Sequence, residues 1–150
     1  MSASWTLRPA HSGDRLFVQA VYFQTQRYLI EALFGWRGDE TEAEKFDEVY
    51  DAATAQIVVV DGLDSGWMSV ARRSDHIELG HLYLVRRVQN RGVGTEIVRG
   101  LIEEAYEASV PLRLSTATLN PALKLYRRLG FRETGTDEFK TYLEHNSIPG

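Results

Sequence analysis

The chain has 150 residues, 43% of them hydrophobic and 25% charged, which is typical of one globular domain spanning residues 1–150 with a real core. Its formal net charge of −4 argues against a nucleic-acid-binding protein, which is normally basic, and suits an amine substrate. The absence of cysteine excludes disulfides, a thiolate nucleophile and cysteine metal sites.

The histidines, the N-terminal residues and the hydropathy restrict the function further. The four histidines, at 11, 76, 81 and 145, lack any spacing typical of metal ligands, so no metal is expected. The first residues lack the charged-then-apolar pattern of a secretion signal. No apolar run approaches the length of a membrane span. We therefore expect a soluble cytoplasmic protein with no membrane partner.

The first half of the chain predicts one strand, two helices and a hairpin. Pro9 ends the first strand, and Asp14 is typical of a helix N-cap. Turn residues from Asp61 to Gly66 separate two apolar runs and predict the hairpin. The predicted elements are a strand over 5–8, helices over 14–33 and 41–53, and strands over 56–60 and 66–72.

The second half predicts strands that alternate with helices before a last pair of strands. Apolar residues at helical spacing follow a long apolar strand, and Pro121 stands where the first turn of another helix is expected. The predicted strands cover 76–85, 111–118, 131–134 and 139–144, and the helices 92–108 and 120–130. This order predicts an α+β fold with a mixed, mostly antiparallel sheet between helices.

A glycine-rich turn, residues 89–95, joins the long strand to the helix that follows it. Glycines let a backbone approach a ligand closely, and the first turn of a helix offers unpaired N–H groups at its positive end. Such a turn predicts a phosphate or pyrophosphate site. It lacks the lysine of a Walker loop and the third glycine of a dinucleotide fingerprint. Its residues are Gln89, Asn90, Arg91, Gly92, Val93, Gly94 and Thr95.

The turn fits the pattern Gln/Arg-x-x-Gly-x-Gly/Ala, and in this it resembles the acyl-CoA signature of the GNAT superfamily of N-acetyltransferases. A second segment, from Asn120 to Phe131, resembles that family's Asn-x-Ala-x-x-x-Tyr-x-x-x-Gly-Phe motif. The order of elements resembles the GNAT fold along nearly the whole chain. The resemblance implies a sheet of about seven strands with four helices, splayed between the fourth and fifth strands, and acetyl-CoA as the acyl donor.

The resemblance also implies roles for individual residues. The backbone of Leu84 and Val85 would bind pantetheine, with one N–H near the thioester oxygen. The N–H groups from Arg91 to Thr95 would hold the pyrophosphate, and the Gln89 side chain would help to bind it. Asn90, in the same turn, would also belong to the cofactor site. We expect Arg86 and Arg87 to be solvated rather than to reach the adenosine phosphate. Tyr126 would protonate the departing thiolate, and Asn120 would contact the cofactor or cap its helix.

Two residues of the long strand compete for the role of general base. Glu78 stands six residues before Leu84, where the family's histone-modifying members carry a glutamate, and burial in a cleft would make it a better base. His81 has a reference pKa near neutrality. Their odd spacing places them on opposite faces of a regular strand, so only one can face the cleft. We prefer Glu78, and water with backbone carbonyls stays open as a third possibility.

The predicted function is transfer of acetyl from acetyl-CoA to a primary amine, by direct attack in a ternary complex because a cysteine relay is absent. The alternative is a non-catalytic acyl-CoA-binding sensor or scaffold; a nucleotide-binding regulator is disfavoured by the missing lysine and third glycine. The sequence does not identify the amine, which can be a small molecule or a peptide. It also leaves open whether the donor carries a longer acyl group and whether the protein forms a homodimer. Trp36 and Tyr22 are the main candidates for the acceptor pocket, with core as the alternative for each; Phe34, Phe46 and Tyr142 are further candidates.

Overall fold

The computed structural model describes residues 4–146. Within that range, seven strands and four α-helices follow one another in the predicted order. The strands are β1 (Trp5–Pro9), β2 (Ala55–Val60), β3 (Leu63–Arg72), β4 (Ile77–Leu84), β5 (Leu112–Ala117), β6 (Arg132–Thr136) and β7 (Lys140–His145). The helices are α1 (Arg15–Leu33), α2 (Asp39–Val49), α3 (Val93–Ala108) and α4 (Leu123–Arg128).

The strands form one open, mixed sheet in the order β1-β2-β3-β4-β5-β7-β6. β1 with β2, β2 with β3, β5 with β7 and β6 with β7 pair antiparallel, whereas β4 and β5 pair parallel. The parallel register covers only Ile77–Leu79 against Leu112–Leu114, while β5 goes on pairing with β7 as far as Ala117. The predicted fold class, with its splay between the fourth and fifth strands, is confirmed.

The chain separates into two compact units. The first holds the residues up to Ser69 together with His81–Val93, and the second holds Val70–Gly80 together with the residues from Gly94 onward. That the whole chain acts as one domain stays a prediction.

The core of the first unit is built by one face of α1 and α2 against β2 and β3. Val18 and Val21 of α1, Phe46 of α2 and Trp67 of β3 are at most 3% exposed and pack in one cluster. Burying a large apolar side chain stabilises a fold by roughly 1.5–3 kcal/mol. Tyr83 of β4 packs against this cluster, so the cluster helps to position the strand that carries the candidate site.

In the second unit, α3 buries the face that the sequence predicts. Ile97, Leu101 and Ala105 recur every four residues and are at most 5% exposed. From the strands, Leu112, Leu114 and Leu143 are equally buried. Arg113, Tyr142 and Glu144 alternate with them and are more exposed, so β5 and β7 present a polar face.

Several predicted boundaries are wrong, each for a local reason. The β2–β3 turn is the two residues Asp61 and Gly62, both with positive φ as a type I′ hairpin turn requires, so β3 begins at Leu63 and not at Gly66. α2 ends at Val49 rather than at 53, before a turn in which the Asp51 carboxylate accepts from the Ala53 N–H. At the last turn, β6 runs on to Thr136.

Asp14 precedes α1 as predicted, but it makes no side-chain cap there. Its carboxylate accepts hydrogen bonds from both Nη groups of Arg8, at 3.0 and 2.9 Å, and from the His11 N–H at 2.9 Å. The Arg8 guanidinium, with lesser help from that N–H, lowers the pKa of Asp14 to about 2, against the opposing effect of burial.

We expect this carboxylate to make stability depend on acid pH. Because its pKa is lower in the folded than in the unfolded chain, its contribution is fully present above about pH 4 and is lost as the pH falls towards 2. The expected loss is about 2 kcal/mol, measured by denaturant unfolding between pH 7 and 2. Asp14→Asn should flatten this part of the pH profile; an unchanged profile would contradict the assignment.

Candidate active site

The predicted phosphate turn has the backbone of a ligand loop. Asn90 and Gly92 have φ of +62° and +84°, and both are exposed. Left-handed φ is readily adopted by glycine and, among other residues, most often by asparagine. α3 then begins at Val93, whose side chain is only 1% exposed and anchors the turn. Gly94 and Thr95 follow in its first turn, where helical N–H groups have no partner within the helix.

The Gln89 side chain ties this turn to the end of β4. Its Nε2 donates to the Leu84 carbonyl over 2.9 Å. The Val85 N–H donates to the Ser65 carbonyl over 2.8 Å, and the Val85 carbonyl accepts from Val88. The Val85 N–H is therefore already used within the protein.

A close backbone approach shapes β4 just before this point. A Cβ on Gly66 would lie 2.2 Å from the Tyr83 carbonyl oxygen and 3.0 Å from the Leu84 Cα. Only glycine fits between the strands there. Gly66 thus determines where the backbone of Tyr83 and Leu84 lies.

The arginines near the turn have protein partners. Arg87 donates from Nη2 to the Asp64 carbonyl at 3.0 Å and to the Oγ of the fully buried Ser65 at 2.9 Å. Arg91 makes an exposed ion pair with Asp61 at 2.9 Å. Arg87 is structural, whereas the Arg91 pair is of the exposed kind that contributes little to stability and exchanges partners readily.

His81, one candidate base, lies in an aromatic cluster of the first unit. Its Nδ1 is 2.9 Å from the Tyr83 hydroxyl, and its ring lies 5.0 Å from that of Trp67. The ring is half-buried. The Tyr83 hydroxyl therefore orients the imidazole and takes part in setting which ring nitrogen carries the proton.

Glu78, the other candidate base, belongs to the second unit. Its side chain is 48% exposed, and its carboxylate lies 3.9 Å from the His76 Nε2. The burial expected of a cleft base is absent in this structure. Glu78 and His81 thus belong to different units of the chain.

Tyr126 and Asn120 also lie in the second unit. The Tyr126 ring packs edge-on against Phe131, with centroids 5.5 Å apart, and burial raises the pKa of its phenol. The Asn120 Oδ1 accepts from the Ala122 N–H at 2.9 Å, and its Nδ2 donates to the Thr116 Oγ1 at 2.8 Å. Asn120 therefore caps the turn before α4, and that helix begins at Leu123, three residues later than predicted.

The two main candidates for an acceptor pocket, Trp36 and Tyr22, lie in the first unit, and each ring contacts that of Phe23. Trp36 donates from Nε1 to Asp39 at 2.8 Å, under the guanidinium of Arg27 at 4.3 Å. The Tyr22 ring lies 4.8 Å from that of Phe46, and burial, with Glu42 adding to it, raises the pKa of its phenol. Of the further candidates, Phe46 is core at 1% exposure, whereas Phe34 and Tyr142 are exposed.

The part of the chain from residue 4 to 146 holds no group of three or more His, Asp or Glu side chains arranged to bind a metal ion. In the same part, none of the helices is both long enough and apolar enough to cross a membrane.

Comparison with known families decides the assignment. Residues 49–133, more than half of the chain, match the model of the acetyltransferase (GNAT) domain. The chain belongs to the GNAT acetyltransferase family. The matched range of this GNAT chain contains the phosphate turn, both candidate bases and Tyr126. No curated protein sequence matches it significantly.

Solved structures share the fold. The PaiA N-acetyltransferase of Thermoplasma acidophilum, in complex with coenzyme A, is 15% identical and superposes with a TM-score of 0.76 over 95% of this chain and 99% of its own. The ribosomal-protein-S18-alanine N-acetyltransferase of Escherichia coli is 17% identical, with a TM-score of 0.66 over 98% and 96%. The N-acetylglutamate synthase of Neisseria gonorrhoeae, complexed with coenzyme A and L-arginine, is 20% identical, with a TM-score of 0.64 over 96% of this chain and 33% of its own. These likenesses show the GNAT fold alone.

Two residues of this GNAT chain that shape the site were missed from sequence. The sequence places Gly66 at the boundary between the predicted turn and the strand over 66–72, whereas it lies inside β3, where a glycine is a known sign of a bulge or a close backbone approach. The sequence indicates Tyr83 only as part of an apolar strand. Residues two apart in a strand point to the same face, so strand periodicity alone places Tyr83 beside His81. Their side-chain contact in the structure follows from this placement.

Proposed function

We propose that this GNAT chain transfers an acetyl group from acetyl-CoA to a primary amine, by direct attack in a ternary complex. The observation that carries the proposal is the exposed turn, with positive φ at Asn90 and Gly92, that leads into the first turn of α3. A backbone of this kind, with N–H groups at the positive end of a helix, favours a pyrophosphate. Coenzyme A in two GNAT structures of the same fold supports the donor.

In this proposal the N–H groups from Arg91 to Thr95 hold the pyrophosphate, and the backbone of Leu84 holds pantetheine. Gln89 acts by fixing the Leu84 carbonyl rather than by touching phosphate, since its Nε2 is already bonded there. Arg91 exchanges Asp61 for a phosphate oxygen. Asn120 positions the start of α4 through Thr116 and Ala122, so its contribution to the cofactor is indirect.

The chemistry needs a neutral amine, a donor for the oxyanion and a proton for the thiolate. The amine nitrogen attacks the thioester carbonyl, whose oxygen is stabilised by the Leu84 N–H. The C–S bond then breaks, and the thiolate takes the Tyr126 proton. One such oxyanion donor is worth about 2.7–4 kcal/mol. Because burial raises the pKa of Tyr126, its phenol holds a proton to donate at neutral pH.

For the base we keep Glu78 first and His81 as its rival. Glu78 is exposed and has only a distant partner in His76, so it is open to an incoming ammonium. His81 is supported by its contact with the Tyr83 hydroxyl, which holds the ring in one orientation. A cytoplasmic location and a homodimer stay predictions.

Two properties are measured on wild type and on Gly92→Ala: binding of acetyl-CoA at the turn, and acetyl transfer to amines. Calorimetry should show acetyl-CoA binding that Gly92→Ala weakens about tenfold, since an alanine at φ +84° costs about 1–2 kcal/mol. Gly100→Ala, inside α3 with nothing within 4 Å of the added Cβ, is the matched control and should bind like wild type. Thiol release over an amine panel then measures turnover, without background because the protein has no cysteine.

Two outcomes would contradict the proposal. Binding of acetyl-CoA with no turnover over the whole panel would identify the chain as a sensor or scaffold. Parallel lines in double-reciprocal plots would replace direct attack by a covalent intermediate.

A further inference from the structure

The second unit contains an open groove of about 520 Å³ on the polar face of its strands. It is lined by residues of β4, β5, β6 and β7. Charged and polar side chains dominate the lining: Glu78, Arg113, Ser115, Thr134, Tyr142 and Glu144. This volume lies within the range of about 300–1,000 Å³ that is usual for small-molecule sites, and the groove is open to solvent.

Strand pairing places a row of alternating charges along this groove. Glu78 pairs with Arg113 across β4 and β5, and Arg113 pairs with Glu144 across β5 and β7. Arg132 of β6 pairs with Glu144 and completes the row. Directly paired residues of neighbouring strands point to the same face, so the row reads carboxylate, guanidinium, carboxylate, guanidinium.

Hydrogen bonds and ion pairs among the described residues use only part of the polar groups in this row. Arg113 donates from Nε to the Glu144 Oε2 at 2.9 Å, and Arg132 approaches Glu144 at 3.9 Å. That bond uses the Nε of Arg113 and not its Nη groups, and the side chain is 47% exposed. The charge of Arg113 also acts on the Asp75 carboxylate, whose pKa it helps to lower. Glu78, next to it, has His76 at 3.9 Å and is 48% exposed.

A cross-strand ion-pair ladder that stabilises the sheet is the simplest alternative, and it accounts for Arg113 with Glu144. It does not account for Glu78 and Arg113. These two are opposite in charge and directly paired, yet their side chains form no ion pair with each other in the described structure. A carboxylate and a guanidinium thus stand at directly paired positions of two neighbouring strands that line the groove, and the backbones of paired strands lie about 4.8 Å apart.

We propose that this groove binds a free α-amino acid as the acetyl acceptor, with Glu78 at its amino group and the Arg113 Nη groups at its carboxylate. A guanidinium binds a carboxylate through parallel N–H bonds, which an uncharged amide cannot match. The Tyr142 ring, held by its hydroxyl bond to Asp137 at 2.7 Å, forms a wall for the side chain of the acceptor. This inference rests on the proposed acetyl transfer and names its substrate class.

The test compares L-amino acids with the corresponding amino-acid amides by thiol release. The ratio of kcat/KM for acid over amide is measured for wild type, Arg113→Gln, Arg113→Lys and Arg132→Gln. The amino group of an amino acid and that of its amide differ in basicity. This difference affects every variant equally, so it cancels when the acid-over-amide ratios of two variants are compared. Arg132 is the matched control: it removes the same charge from the same row, is 75% exposed and does not line the groove.

We expect wild type to prefer the acid at least tenfold. Arg113→Gln should raise KM for the acid about thirtyfold and change the amide less than threefold, so that the preference disappears. Arg113→Lys should recover part of the preference for the acid, because lysine keeps the positive charge but lacks the paired N–H groups of a guanidinium. Arg132→Gln should keep the wild-type ratio.

Equal use of acid and amide by wild type, or an unchanged ratio in Arg113→Gln, would overturn the inference while leaving acetyl transfer intact. Absence of acetyl-CoA binding in calorimetry would instead overturn the proposed function. If turnover is not seen, NMR titration of the protein with amino acids decides. Shifts at Glu78 and Arg113 that Arg113→Gln abolishes support the groove, and an amino acid that causes none there overturns it.

Discussion

Replacing Tyr126 by Phe is expected to lower kcat about 100-fold with little change in acetyl-CoA affinity. The substitution keeps the ring and its edge-on contact with Phe131 but removes the proton that the thiolate needs. General acids typically contribute 10²–10⁴-fold to a rate. Because burial raises the pKa of Tyr126, the phenol keeps its proton at neutral pH, so its loss should lower kcat across the neutral range.

Tyr106→Phe is the matched control for this experiment. Tyr106 lies on α3 and is 54% exposed, so its hydroxyl should matter for neither turnover nor folding. Full turnover by Tyr126→Phe would remove Tyr126 from the mechanism.

The same pH–rate profiles distinguish the candidate bases. If Glu78 accepts the amine proton, Glu78→Gln should shift or abolish the acid limb of kcat/KM, whereas His81→Asn should leave it in place. The reverse result would assign the base to His81, and an acid limb unmoved by either change would assign it to water.

Gly66→Ala is expected to destabilise the fold by about 3 kcal/mol, or roughly 10 °C in Tm for a chain of this size. The new Cβ would lie 2.2 Å from the Tyr83 carbonyl oxygen and 3.0 Å from the Leu84 Cα, both backbone atoms that cannot rotate away. The strands must therefore separate, which moves the Leu84 backbone. Variant protein that still folds should bind acetyl-CoA more weakly. Denaturant unfolding and calorimetry measure the two effects.

Gly100→Ala gives the control for the chemical change itself. It adds the same methyl inside a helix with no atom within 4 Å, so it should stabilise the fold by about 0.5–1 kcal/mol. If the two alanine variants had equal stability, the close approach at Gly66 would not be a constraint on the fold.

The order of elements and the fold class could be predicted from sequence because each depends on local periodicity. α3 illustrates this: Ile97, Leu101 and Ala105 recur at helical spacing and are buried. The Asp61-Gly62 hairpin was also readable, since Asp-Gly between apolar runs is a strong two-residue turn signal. The sequence predicts too wide a turn there because Asp64 and Ser65 are also typical of turns. Both lie in β3, where the sheet outweighs their propensity.

The candidate site was predictable to the extent that its motifs are contiguous. The turn from Gln89 to Thr95 is one segment, and its positive φ values follow from Asn90 and Gly92. The side-chain partners of Arg87 and Arg113 are not predictable, because each comes from a strand that is distant in sequence. Composition indicates that charges will pair, but only the strand register determines which ones do.

The aromatic cluster around Trp67 also bears on how this chain can be changed. The Tyr50 hydroxyl and the Trp67 Nε1 are buried and have no hydrogen-bond partner among the described residues. A buried polar atom left unpaired costs about 1–3 kcal/mol, so folding tolerates these two atoms rather than depends on them. A stabilised scaffold for directed evolution therefore has a natural starting point at Tyr50, where phenylalanine keeps the ring stacked on Phe46 and removes only the oxygen.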